Sequence, residues 1–415
     1  MLTRRSAGKL IAGAAASTTL IGAGFRPALA ADKVIKIGID LPLTGADAQS
    51  AARIKYGALL AIQQANDAGT LKGYKLVPVV LNDATATAGQ YDPAQAATNA
   101  RAFVADPQVM AAIGPQMSGA GKAMAPILSE GDLATITPSS TNPDITDPKF
   151  AAEFDPSGKA VYFRTVTTDA YQGPAMANYF SDILKVKSVY VLDDSGAYGV
   201  GIADTFQARA KEKGMQVLGR DRLDPKEADY TVILTKIKAL NPGGLYYGGV
   251  MLAGTKLVKQ AYNVLPAAMP KAGGDGLYDP EMLTAVGFPA AEGWYCSIAA
   301  PHLNEDPKVQ PFVQLYESTF KTQPDDYAIT AYDAGLVIVN AIKGLIDAGK
   351  PVTRGAVRDA IQNSSTNTLQ GTVQFDKYGD IVNRTVSIFQ VVKNTAYKLD
   401  DIVHQFKYIG VAPTS

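Results

Sequence analysis

The sequence predicts an α/β protein built from two Rossmann-like lobes with central, parallel-rich sheets. Three observations lead there. Short apolar runs of strand length alternate with amphipathic stretches of helix length, the pattern of βαβ units. That alternation runs from residue 34 to 137 and restarts at 188 as a second unit of similar build. The chain also has 415 residues, 47% hydrophobic and 19% charged, which suits two domains with real cores and is too apolar for disorder.

The first unit opens with VIKIGID over 34–40, a β-rich run followed by the loop Leu41-Pro42-Leu43-Thr44-Gly45. From 53 to 66, Ile54, Ala58, Leu59, Ala61, Ile62 and Ala65 fall mainly on one helical face, and Gly69 ends that helix. There follow a strand over 74–80, a helix over 93–105, a strand over 109–114, a helix over 121–130 and a strand over 133–137. The second unit has strand 188–194, helix 199–214, strand 215–221, helix 230–241, strand 244–250 and helix 254–262. Beyond it come a strand in EGWYCSIA (292–299), a long helix over 328–348 and a β-rich tail. In that tail the runs TVQFD and RTVSIFQVV flank a Tyr378-Gly379-Asp380 turn. Open α/β lobes bind small molecules at the carboxyl ends of their strands, so the crevice between the lobes is the expected site.

Composition excludes several classes. Lys plus Arg and Asp plus Glu number 39 each, which leaves no electrostatic footprint for nucleic acid or for an anionic membrane. The single Cys296 rules out an intramolecular disulfide and a cysteine cluster for zinc or iron-sulfur. His302 and His404 are the only histidines, and neither has ligand-spaced partners, so neither a metal nor another cofactor is expected. At the N-terminus, Thr3-Arg4-Arg5, a mild apolar run over 10–24 and the small-x-small site Ala28-Leu29-Ala30 form an export signal over 1–30, with cleavage after Ala30. The paired arginines suit a Tat-like route, and a Sec signal that happens to carry two arginines is the alternative. No later run of about 18 apolar residues is evident, so a released periplasmic protein is expected.

Two segments invite stronger readings. GPQMSGAGKA (114–123) fails as a P-loop because Gln116 stands where the first glycine belongs and Ala123 offers no hydroxyl for magnesium. It fails as a hydrolase elbow around Ser118 because positions 116 and 120 are Gln116 and Ala120. What survives is a Ser118-Gly119 pair at a strand-to-helix junction, able to cap the helix or to hold a carboxylate with its free N–H groups. TPSSTNP (137–143) places Ser139, Ser140 and Thr141 in a proline-framed loop after the next strand, on the same edge of the lobe. Two such loops can converge on one anion.

Several segments together resemble the leucine/isoleucine/valine-binding proteins of ABC importers, periplasmic type I substrate-binding proteins of the branched-chain amino acid class. They are IKIGIDLPLTG, AAIGPQMSGAG, ATITPSSTNPDIT, FRTVTTDAYQGP, YYGGV, GGDGLYDPEML, AAEGWY and QGTVQFDKYGDI, in the family order from residue 35 to 381. The resemblance implies that Ser118 and Thr141 hold a ligand carboxylate, with Ser139 and Ser140 adding main-chain contacts. It implies that Asp275 meets the α-ammonium and that Tyr198 closes the site from the second lobe. By sequence alone Gly274-Asp275-Gly276 is also a good turn, and Tyr198 is equally a packing residue. Ser50 stands where some relatives carry a large aromatic, Val250 replaces a tyrosine, and Met117 stands where some carry a cysteine. Ser50 and Val250 therefore imply a wider or more apolar pocket. About nine extra residues lengthen the loop between Asp147 and Tyr162.

The expectation that follows is two lobes, 31–165 with 300–366 and 166–299 with 367–415. A three-crossing hinge joins them near Arg164 to Asp169, Ser297 to Pro301 and Asn367 to Gly371. Such a protein captures an amino acid, of branched-chain or aliphatic class, by hinge closure and delivers it as a monomer to an ABC membrane permease. It is not an enzyme. The alternatives are a binder of aromatic or aliphatic carboxylates and an exported hydrolase using Ser118.

Overall fold

The computed structural model describes residues 33–413, so the expected export signal over 1–30 lies outside the described residues. The first sheet contains β1 (Lys33–Leu41), β2 (Tyr74–Asn82), β3 (Val109–Ile113), β4 (Thr135–Thr137) and β5 (Tyr162–Arg164) in the order β2-β1-β3-β4-β5. Every pairing in it is parallel. Ile35, Ile37 and Ile39 are buried together with the intervening Gly38 and Asp40, which marks a strand covered on both faces.

The second sheet takes β6 (Ser188–Asp193), β7 (Gln216–Arg222), β8 (Gly244–Gly248), β9 (Lys271–Gly273) and β10 (Tyr295–Ile298), all in parallel. A two-stranded ribbon, β11 (Thr366–Thr368) with β12 (Gly371–Val373), stands apart. Then β13 (Ser387–Val391) and β14 (Phe406–Val411) extend the second sheet on the β10 side with antiparallel pairings. Two mostly parallel sheets with helices on their faces match the expected fold class.

Most elements fall within a few residues of their expected bounds. Helix Pro93–Ala105 coincides with them because Asp92 caps Ala94 N–H at 2.9 Å and a proline occupies the first turn. Helix Ser118–Glu130 starts three residues before the expected 121, taking in Gly119 ahead of Gly121. Those glycines are there for contact: a Cβ would stand 2.7 Å from the Tyr91 ring at Gly119 and 2.3 Å from the Tyr162 hydroxyl at Gly121. Contrary to expectation, one later helix, Asp326–Asp347, is long and apolar enough to cross a membrane. Here it is a core helix, packed along helix Ala48–Asp67 with Val337, Ile338 and Ile342 buried.

The tail departs from its expected form. The turn at Tyr378-Gly379-Asp380 exists, with Gly379 at φ 98° and a bridge between Phe375 and Ile381, but its flanking strands join different sheets. Gly379 O accepts the Arg164 N–H at 3.1 Å, and Phe375 packs on Phe163 with ring centres 5.1 Å apart. The chain therefore stays with the first sheet through Ile381, past the 367–371 stretch expected as the third crossing, and reaches the second sheet at Ser387. The crossings are tied to one another: Thr167 N–H donates to Ala299 O at 2.8 Å, and Ser387 Oγ donates to Ala300 O at 2.8 Å. His302 is a packed residue between Phe389 and Tyr408, bonded through Nδ1 to Asp326 at 2.9 Å.

A buried acid pair sits at the end of the first sheet. Asp40 and Asp83 are both fully buried, and Asn99 donates to Asp40 at 2.7 Å. Burial and the neighbouring carboxyl push Asp83 up to about 9, so the pair keeps a proton at neutral pH. An unfolded Asp titrates near 4, so the folded state binds the extra proton across that window and loses stability as pH rises through it. Asp83→Asn is expected to raise the melting temperature by about 3 °C or more at pH 8 and by clearly less at pH 5, near the unfolded value. Equal shifts at both pH values in a calorimetric scan would contradict the shared proton.

Candidate functional site

The carboxyl ends of the strands in both sheets face each other across a small cavity, the place where open α/β lobes bind ligands. Ser50, Ser118 and Ser139 line it from the first lobe, and Tyr198, Val250 and Asp275 from the second. Ser140 and Thr141 are buried but do not line it. The lobes are closed on each other. Asn142 Nδ2 donates to Ala197 O at 2.8 Å, Tyr327 OH to Asp275 Oδ2 at 2.5 Å and Tyr278 OH to Asp326 Oδ2 at 3.2 Å.

The TPSSTNP loop is built by its hydroxyls. Thr137 Oγ1 donates to Pro115 O at 2.6 Å and accepts the N–H groups of Ser139 and Ser140 at 3.3 and 2.9 Å. Ser139 Oγ donates to Gln116 O at 3.0 Å, which sews this loop to the one before helix Ser118–Glu130. Ser118 does not cap that helix, because Met117 occupies the cap position and no side-chain cap bond forms. Instead its Oγ accepts the Asn142 N–H at 3.1 Å and the Ser140 hydroxyl at 3.4 Å, so its own proton is free to turn toward the cavity.

Behind the loop stands Arg164, fully buried and unassigned by sequence. Its Nε pairs with Asp380 at 2.7 Å, while its terminal nitrogens donate to Ser140 O at 2.7 Å, Asn142 O at 2.9 Å and Thr146 Oγ1 at 2.9 Å. Ser140 and Thr141 thus engage the scaffold by backbone. Thr141 O accepts the Asp169 N–H at 2.9 Å, and the Thr141 hydroxyl is buried without a partner.

On the second lobe, Asp275 opens a short turn after β9 and is 8% exposed. Neutral donors hold it: Gln172 Nε2 at 2.9 Å on one oxygen and the Tyr327 hydroxyl on the other. The same Gln172 amide donates to the fully buried Asp169 at 3.1 Å, whose second oxygen has no donor. Burial pushes both carboxyls up, and the charge of Asp275 pushes Asp169 further. Tyr198 OH accepts the Gly276 N–H at 3.1 Å and so braces the Asp275 turn.

Sequence reasoning missed Asp47, Gln116, Tyr278, Asp279 and Tyr327, which complete the cavity wall. The acids sit in turn-like or helix-start contexts that carry no signal of their own. Among the described residues no Lys, Arg or His lines the cavity, though the charge of Arg53 behind the wall partly offsets the burial of Asp279. Burial lifts Asp47 to about 7, and Asp279 beside it adds to that.

Two lobes joined by several crossings, closed over a cavity at the strand ends, define a protein that traps a small solute by hinge closure. The comparisons agree: the periplasmic binding protein family model matches residues 34–396, and the chain belongs to that family. Its place of work is accordingly outside the cytoplasm. Leu/Ile/Val-binding protein homolog 3 of Brucella melitensis is 30% identical over 384 residues, covering 92% of this chain and 96% of its own. Similar folds include a leucine-binding protein of Thermotoga maritima (TM-score 0.76, 24% identity, 91% of this chain and 98% of that one). A solute-binding protein of R. palustris, crystallised with benzoate, has a TM-score of 0.75 at 20% identity over 92% and 97% of the two chains.

Proposed function

We propose that this chain captures an α-amino acid by closure of the two lobes and hands it to an ABC-type membrane permease. Ser118 and Ser139 take the ligand carboxylate, and Asp275 takes the α-ammonium. The observation that carries this reading is Asp275, a buried cavity carboxylate held by neutral donors with no cationic side chain among the described residues of the cavity wall. A carboxylate is tolerated in such a place when a cation arrives to meet it. The names of the relatives favour the branched-chain aliphatic class. Ser140 and Thr141 serve the site by holding the loop, and the working form is a monomer cleaved after Ala30. The lobes divide at Arg164 to Asp169, at Ser297 to Pro301 and, for the third crossing, between Ile381 and Ser387.

A nucleophilic role for Ser118 has no support, since among the described residues no histidine lines the cavity to act as its base. Titration calorimetry of leucine against 4-methylpentanoate, its deaminated counterpart, tests the reading. The deaminated acid is expected to bind about a hundredfold more weakly, because it leaves Asp275 buried and unpaired. Equal binding would sink the assignment and favour a carboxylate binder.

A further inference from the structure

The end of the cavity formed by Ser50, Gln116, Asp47 and Asp279 is rich in acceptors. Ser50 Oγ has one proton and gives it to Asp47 O at 3.1 Å. Gln116 Nε2 donates to Ser50 Oγ at 2.9 Å, and the amide oxygen of Gln116 is buried without a donor, on a side chain 7% exposed. Asp47 uses Oδ2 to accept the Tyr91 N–H at 3.3 Å, and Asp279 uses Oδ1 to accept the Glu281 N–H at 2.8 Å. The Ser50 hydroxyl also bonds the Asp279 carboxyl, so its one proton is shared between Asp47 O and Asp279, and both acids line the cavity. The nearby cation, Arg53, does not line it and directs Nε to Gln323 O at 3.3 Å, while its charge acts on Asp279 from behind and its Nη1 is buried without a partner.

An aliphatic side chain seated here would bury the Gln116 oxygen and two carboxylates against methyl groups, the costliest way to leave polar atoms unpaired. A metal ion is a poor occupant, because among the described residues no three His, Cys, Asp or Glu side chains are grouped to hold one. We infer that the ligand's distal end carries N–H donors, so that this site prefers an amino acid ending in a carboxamide, ammonium or guanidinium group to a leucine-like one. The inference rests on the amino-acid reading above and changes only the side-chain class. The smaller Ser50 and Val250 then make room for a polar group rather than for a bulkier hydrocarbon.

Calorimetry on the ligand-stripped mature chain tests this with glutamine, asparagine, lysine, ornithine and arginine against leucine and norleucine. At least one donor-bearing ligand is expected to bind about tenfold or more tighter than norleucine, since sites built for hydrogen bonds discriminate strongly against analogues lacking them. Asp279→Asn and Asp47→Asn are each expected to shrink that ratio about tenfold, in protein whose melting curve shows it folded. If leucine or norleucine binds as well as every donor-bearing ligand, the inference fails and the amino-acid reading stands. If no amino acid of either kind binds, both fall together. The ranking by the unaltered chain decides the matter even if a variant does not fold.

Discussion

Asp275→Asn is expected to weaken amino-acid binding by roughly 30-fold to several thousandfold, the 2–5 kcal/mol typical of breaking a buried charge pair. Asparagine has nearly the same shape, so the turn after β9 and its packing should survive. What changes is the charge. The ligand ammonium would enter a closed cleft with no anion at its expected contact, while the Gln172 amide and the Tyr327 hydroxyl would face a neutral group. The apo variant is expected to melt no lower than the parent, because burial already holds the Asp275 carboxyl above its usual range. A raised carboxyl destabilises the fold increasingly as pH climbs past its unfolded value near 4, and the amide removes that burden. Affinity by calorimetry and melting curves with and without ligand separate the two effects. Binding within threefold of the parent would mean that the ammonium lies elsewhere.

The second large effect is expected at Arg164. Arg164→Met should lower unfolding stability by about 3–5 kcal/mol, because it strands several buried or half-buried acceptors at once. Asp380 would lose its partner at 2.7 Å, and the carbonyls of Ser140 and Asn142 would lose theirs at 2.7 and 2.9 Å. Since those carbonyls carry the loop that presents Ser139, ligand affinity should fall with stability. Arg164→Lys should recover only part of either loss: an ammonium is a point charge and cannot span the planar fork of acceptors. Urea unfolding of both variants, read beside calorimetry, checks this. An unchanged midpoint in Arg164→Met would show that the loop is held by Thr137 and Ser139 alone.

Much of the cavity wall is legible in the sequence. Ser50, Ser118, Ser139, Tyr198, Val250 and Asp275 are all candidates by sequence, and all line the cavity. Ser140 and Thr141 are candidates with them, but their backbones turn to Arg164 and Asp169, which only the folded neighbourhood reveals. Ser118 reads equally well as a cap or a contact by sequence. The fold separates the two, because the helix starts at Ser118 and its oxygen is taken by the Asn142 N–H.

The sequence by itself determined the alternation of strands and helices, the division into two lobes and the edge of each lobe that lines the cavity between them. Those follow from local periodicity and from turn residues, which act over a few positions. The tertiary structure decided the rest: that Arg164 supports the loop, that Asp169 and Asp275 share Gln172, that Asp47, Asp279 and Gln116 line one cavity, and that the tail's two strands part to different sheets. Each joins residues tens to hundreds of positions apart, and the properties at stake are burial, unpaired charge and the direction of a hydrogen bond. Such properties belong to a neighbourhood in space, and no residue carries them along the chain.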